Sequence, residues 1–413
     1  MSTKEKKALV PNQRFPEFQT AGEWVLCKLK DACKVNPANS GLPEQFVYID
    51  LESVEAGKLT ARKIINSDEA PSRAQRVLSS DDVIFQIVRP YQRNNFHFKP
   101  SDHLSYVAST GYAQLRAKSS SDFLFQAIHV DGFVERVIAK CTGSSYPAIN
   151  SSDLAEISLA VPEPKEQQKI ADCLSSLDEL IAAQARKVDA LKTHKKGLMQ
   201  QLFPREGETQ PRLRFPEFRD TGEWEIRELS EFIIERNEYP TDKVPLFSLT
   251  IEDGVTPKTE RYERSFLVND EADAYKLVLP NDFAFNPMNL RFGAIGRHSG
   301  TEKVAVSRYY NIFSCDETVD SSFCETYFRS ERMVAFYDER AIGSLIEKRR
   351  VHFSAFLKFN IRFPRLPEQQ RIADCLSSLD ALIAASTQEL DALKTHKRGL
   401  MQQLFPSLEV VNA

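Results

Sequence analysis

No stretch of this chain approaches the ~18 consecutive apolar residues of a membrane span. The opening MSTKEKKALVP carries charges but no apolar centre, so no secretory leader is expected. Seven cysteines (Cys27, Cys33, Cys141, Cys173, Cys315, Cys324, Cys375) are an odd number and contain no C-x-x-C pair. A cytoplasmic protein with reduced thiols is the simplest reading. Net positive charge is missing too: 54 Lys+Arg stand against 58 Asp+Glu, giving −4 and a pI near 6.1. A nucleic-acid partner would have to be met by local basic patches, or by charge on another subunit.

Catalytic signatures are equally scarce. A methylase acting on a base amino group needs an Asn/Asp-Pro-Pro-aromatic loop, and Asn286-Pro287-Met288 lacks the second proline and the aromatic. FGAIG (Phe292 to Gly296) is read as a turn, because it opens no recognisable βαβ unit. There is no G-x-x-x-x-G-K-[ST] phosphate loop. The histidines show no H-E-x-x-H or Cys/His metal spacing, so no metal site is expected. His194 and His396 sit near the C-termini of expected helices, where a cation suits the dipole. No acid–base pair or nucleophile triad is recognisable.

What the chain does contain is a duplication. At 413 residues it exceeds what one hydrophobic core usually serves. EQQKIADCLSSLD from Glu166 returns as EQQRIADCLSSLD from Glu368, and Glu166–Pro204 matches Glu368–Pro406 at 31 of 39 positions. RFPEFQTAGEW from Arg14 returns as RFPEFRDTGEW from Arg214. A period near 200 residues is too long for a solenoid and means duplicated domains. Fainter correspondences persist between: Asp82-Val83 with Asp282-Phe283, Ser121 with Ser321, and Gly143-Ser144 with Gly343-Ser344. One fold presenting two different binding faces is the expectation.

Each repeated segment reads as a long helix, bracketed by Pro164 and Pro204, then by Pro367 and Pro406. Apolar residues recur at steps of four and three: Ile170, Leu174, Leu177, Ile181, Val188, Leu191, Leu198 and Leu202. The second copy gives Ile372, Leu376, Leu379, Ile383, Leu390, Leu393, Leu400 and Leu404. Gln184 and Lys195, then Ser386 and Lys397, interrupt the seam. A 3.5-residue period of this length is a coiled-coil signature. Connectivity makes the pair antiparallel, with a globular domain at either end, a pseudo-two-fold axis between them, and Val410 near the first RFPEF. The expected divisions are 1–163, first globular domain with the N-terminal segment; 164–204, first helix; 205–365, second globular domain; 366–413, second helix and tail.

The variable domains read as α+β with strongly twisted sheets. Strands are expected at Phe46–Leu51, Asp82–Val88, Val244–Ile251, Tyr275–Pro280 and Tyr309–Cys315, with helices at Asp122–Val130 and Ser322–Tyr337. Basic and aromatic residues mix at Arg73, Arg76, Arg89, Tyr91, Arg93 and Lys99. They mix again at Arg291, Arg297, Lys303 and Arg308, and in the triplet Lys348-Arg349-Arg350. Arg forks can bind guanine edges while Lys and Arg neutralise phosphates, so these thirteen are the candidate DNA contacts.

The doubled EQQ(K/R)IADCLSSLD…LDALKTHK(K/R)GLMQQLFP, each copy preceded by RFPEF…GEW, resembles the specificity subunit of type I restriction-modification systems. TGSSYPAIN, NPMNLRFGAIG and GSLIEKRR look like features of that family's target-recognition domains. The resemblance implies a non-catalytic protein whose two domains each read one half of a split double-stranded DNA site. It further implies two methyltransferase subunits docked on the helices, joined by restriction subunits, with S-adenosylmethionine, ATP and Mg held by those partners. Two other readings stay open: a self-contained methylase or nuclease that dimerises through the coiled coil, and a protein–protein scaffold. If the helices pair, a half-protein ending near Glu208 self-associates and recognises a symmetrical split site; a stable monomer in analytical ultracentrifugation would contradict the pairing.

Overall fold

The computed structural model describes residues 9–241, 244–258, 274–343 and 349–408. The chain divides into two units: residues 1–186 with 388–413, and residues 187–387. Val410 and Ser344 lie outside the described residues.

The first unit carries two four-stranded sheets. One is mixed, in the order Lys63–Asn66, Gln45–Ile49, Tyr106–Ser109, Ala74–Val77; the other is antiparallel, in the order Cys33–Val35, Tyr112–Ala117, Val83–Gln86, Phe96–His97. A two-stranded pair, Val25–Lys28 with Ser158–Val161, sits at the helix entry. Strand periodicity sorts the side chains. Val83 and Phe85 join the core around Trp24, while Ile84 between them joins a second core with Tyr106 and Tyr112. Ser120 caps the helix Ser121–Ala127, its Oγ accepting from Phe123 N–H at 3.1 Å.

The second unit repeats the antiparallel part of this plan; among the described residues its remaining strands form two-stranded pairs. Its four-stranded antiparallel sheet runs Ile233–Arg236, Asn311–Cys315, Phe283–Phe285, Ile295–Arg297, and Glu225–Glu228 pairs with Asn360–Phe363. Its core is aromatic: Phe283 stacks on Phe313 at 4.9 Å, with Phe323, Phe353 and Phe356 around them. Two departures from the sequence reading have local causes. The helix expected at Ser322–Tyr337 is two helices, Ser321–Phe328 and Glu331–Arg340, because Ser330 Oγ caps the second by accepting from Met333 N–H. Likewise the helix expected at Asp122–Val130 ends earlier, running Ser121–Ala127, and Val130 is already the N-cap of the next helix, Asp131–Ala139. In FGAIG only Gly293, at φ 93°, closes a turn. Gly296 lies in a strand so close to Gly254 that a Cβ would sit 2.7 Å from its Cα.

The repeated segments are helices of 39 residues each, Pro164–Leu202 and Leu366–Leu404. Within the first unit they are antiparallel: Lys397 pairs with Asp178 at 2.6 Å, and Gln184 donates to Glu389 at 2.8 Å. Within the second, Lys195 pairs with Asp380 at 2.6 Å. Every expected seam residue is buried or half-buried. The polar interruptions belong to the seam as well: Gln184 and Ser386 are buried, and Lys195 and Lys397 hold carboxylates there. Such polar seam positions fix register. Each helix also ends in a globular core. Phe405 packs on Trp24 and Phe123 in the first unit, and its counterpart Phe203 packs on Phe323 and Tyr327 in the second.

The two repeated motifs meet. Arg14 grips Glu166 through two hydrogen bonds of 2.7 and 2.6 Å, and Arg214 grips Glu368 at 2.8 and 2.7 Å. Both pairs are buried, at the first turn of each helix. Lys169 bridges to Glu17, and Arg371 bridges to Glu217, so the one change inside the repeated thirteen residues keeps its ion pair. Removing one partner of a buried pair strands the other charge, at a cost of about 3–5 kcal/mol. Arg214→Met should lower the stability of the second unit by that order in urea titration, and Arg214→Met/Glu368→Leu should recover most of it.

Candidate nucleic-acid interface

In the first unit, the buried strand Val83–Gln86 runs out into a tight turn, Pro90–Gln92, flanked by Arg89 at φ 54° and Arg93 at φ 56°. Left-handed backbone costs an ordinary residue roughly 1–2 kcal/mol, and strain of this kind clusters at functional sites. Surrounding hydrogen bonds hold it. Arg89 N–H donates to Pro147 O at 2.7 Å, and Ile149 N–H to Ile87 O at 3.0 Å, stapling the turn to the TGSSYPAIN loop. The Arg93 guanidinium donates to Asp131 at 2.6 Å and to His129 O at 3.1 Å. That guanidinium holds the Asp131 carboxyl below its usual range.

Beneath the turn, Asn95 Oδ1 accepts from Gln86 N–H at 2.8 Å, and Asn95 Nδ2 lies 3.2 Å from His129 Nε2. Burial pushes the His129 imidazole down to about 4, so it is neutral at physiological pH. The neutral ring donates from Nδ1 to Phe125 O at 2.6 Å and accepts from Asn95 at Nε2. This fixes the tautomer and ties the turn to the helix Ser121–Ala127.

Between turn and sheet lies a cleft of 850 Å³ lined by Glu52, Glu55, Arg73, Arg89, Gln92, Asn94, Thr110 and Tyr146. The Arg89 guanidinium lies 4.3 Å from the centroid of the Tyr146 ring, which is 65% exposed. Among the described residues Arg89 has no carboxylate partner.

The second unit has the equivalent turn, Leu290–Phe292, stapled by Val351 N–H to Pro287 O at 3.1 Å. Its chemistry differs. Arg291 stacks on Phe292 at 4.2 Å and pairs with Asp338 at 3.1 Å, and Arg349 reaches the same carboxylate at 3.5 Å.

The sequence pattern of the type I restriction modification DNA specificity domain matches residues 22–193 and 344–395, more than half of the chain. The chain belongs to this type I specificity family. It is 26% identical over 140 residues to the HindI specificity subunit of Haemophilus influenzae, covering 33% of this chain and 30% of that one. It is 23% identical over 283 residues to the MjaVIII specificity subunit of Methanocaldococcus jannaschii, covering 64% of each. The chain thus spans less than two thirds of the length of these curated relatives. A solved structure described as "Structural basis underlying complex assembly and conformational transition of the type I R-M system" shares the fold. The TM-score is 0.56 at 21% identity, covering 93% of this chain and 98% of that one.

On this type I specificity fold the thirteen candidate contacts separate by partner. Arg93, Lys99, Arg291, Arg297 and Arg349 are engaged internally, with Asp131, Asp122, Asp338, Glu325 and Asp338 respectively. Arg73 and Arg89 share the cleft, and Tyr91 is exposed beside it. Arg76 is half-buried on its strand with Nε unpartnered. Lys303, Arg308 and Arg350 are exposed, Arg308 lying 5.9 Å from the ring of exposed Tyr309. Lys348 lies outside the described residues. Sequence reasoning missed Glu52, Glu55, Gln92, Asn94 and Tyr146, since none is basic; the one available signal for Tyr146 was an aromatic three residues after the glycine of TGSSYPAIN.

The contrast between engaged and free arginines is measurable. Arg297 is 15% exposed and also donates to Asn281 at 2.6 Å. Arg297→Ala should therefore destabilise the second unit by about 2 kcal/mol. Arg308→Ala should change stability by less than about 0.5 kcal/mol, yet reduce the salt slope of DNA binding by about one. Thermal unfolding and binding titrations across salt concentrations read both.

Proposed function

We propose that this chain is the non-catalytic DNA-specificity subunit of a type I restriction-modification complex, each globular domain reading one half of a bipartite site. The helices set the spacer and dock two methyltransferase subunits, through which restriction subunits join. S-adenosylmethionine, ATP and Mg belong to those partners. The family match supports the DNA-recognition role.

The observation that carries the two-reader reading is the contrast between scaffold and turn. The Arg–Glu grip, the seam and the order of the antiparallel four-stranded sheet recur in both units, while Arg89-Pro90-Tyr91-Gln92 in one corresponds to Asn289-Leu290-Arg291-Phe292 in the other. A shared scaffold suits identical partners, which symmetry requires to meet identical surfaces. Different turns suit different half-sites. Leu180 and Leu382, matched positions on the two helices, are 54% and 45% exposed, which supports docking of the same partner twice. No helix among the described residues is long and apolar enough to cross a membrane.

Exchanging residues 31–160 for those of a relative, and mapping methylated adenines in DNA from cells carrying the complex, should change one half-site and leave the other. A simultaneous change in both halves would overturn the assignment of one reader to each domain.

A further inference from the structure

Resting on the DNA-recognition reading above, we infer that the first unit's cleft reads a G·C base pair, with Arg89 as the guanine-specifying side chain. Three observations carry this. The Arg89 guanidinium is positioned: its backbone is held left-handed by the bond to Pro147 O, and its carbon lies 4.3 Å from the centroid of the Tyr146 ring. It is also unspent, having no carboxylate partner among the described residues, whereas Arg93 at the other end of the turn is tied to Asp131. A fixed, unpaired fork offers the two parallel N–H donors that match guanine O6 and N7.

The third observation separates base edges from backbone. The same cleft carries the carboxylates of Glu52 and Glu55 beside Arg73 and Arg89, and the Asn94 side chain, whose Oδ1 accepts from Ala56 N–H at 3.2 Å. A groove for phosphate would be depleted of carboxylates, which repel it. Base edges need both signs: an Arg donates to guanine, and a carboxylate accepts from the N4 amino group of cytosine. The mixed lining therefore fits a G·C edge and not a sugar–phosphate strand. Among the described residues, the arginines at the second unit's turn are engaged differently, Arg291 and Arg349 both pairing with Asp338.

The test uses the full chain assembled with its methyltransferase subunits and a duplex library randomised in both half-sites. Wild type should require G·C at one position of one half-site. Arg89→Gln should lose that preference by about 10- to 100-fold at that position alone, with the salt slope and the other half-site unchanged. Glu55→Gln, which keeps the shape, should relax the same or the adjacent pair. Uniform weakening of all sequences by Arg89→Gln, with a salt slope smaller by about one, would make Arg89 a phosphate contact and overturn the inference. A half-site without any required G·C pair, or an unchanged preference in a variant that unfolds like wild type, would overturn it equally. Absence of any sequence preference in the wild-type complex would instead remove the DNA-recognition reading on which it rests.

Discussion

Everything in this molecule depends on cores completed from a distance. The cluster around Trp24 closes only when Met401, Leu404 and Phe405 enter it, almost four hundred residues later in the chain. The cluster around Trp224 closes on Leu202 and Phe203, which precede it. Each unit therefore buries the end of the helix that the other domain launches, and the antiparallel direction found within each unit follows from that exchange. Apolar burial of this size is the dominant favourable term in folding. A helix of 39 residues with a narrow stripe of leucines gains most of its stability from such packing, not from propensity.

The same exchange explains where the repeat is strict. Identity is concentrated in residues that do one job twice: the glutamates gripped by Arg14 and Arg214, the glutamines whose amides donate to Pro162 O and Pro364 O, and the phenylalanines at the helix ends. Divergence inside the helices gathers near their middle, where QARKV at Gln184 faces no constraint to equal STQEL at Ser386. There Gln184 meets Glu389, a partner unlike itself, so the pairing of unlike copies is written into the seam.

The fold was legible because its signals are periodic. The seam leucines follow from one geometric period, the prolines bracket the helices by breaking them, and the structure keeps both. The seam was misjudged only where polarity was taken for interruption: Gln184 and Ser386 are interior, because each finds a partner there. The interface was far less legible. Charge marks Arg73, Arg89, Arg93, Arg291, Arg297 and Arg308 alike, yet only burial and partnership divide those engaged within the fold from those without a carboxylate partner among the described residues. Asp131 and Asp338, which decide the matter for Arg93 and Arg291, are remote in sequence and carry no pattern. Tyr146 and the two glutamates of the cleft are invisible to a search for positive charge.

Mild overall acidity and specific DNA reading are compatible for the same reason. A reader that relied on phosphates would need a basic face, and its affinity would be largely indifferent to sequence. Here the first unit spends its arginines unevenly: Arg93 stiffens the turn, and Arg89 is left free at its edge. The left-handed residues at both ends cost stability, and the bonds to Pro147, His129 and Asp131 offset that cost. If the turn meets a base edge, as proposed, its bracing would keep it from bending to suit a wrong one, and a mismatch would leave polar groups unpaired and desolvated. On that proposal, rigidity in the scaffold would be converted into discrimination at the turn.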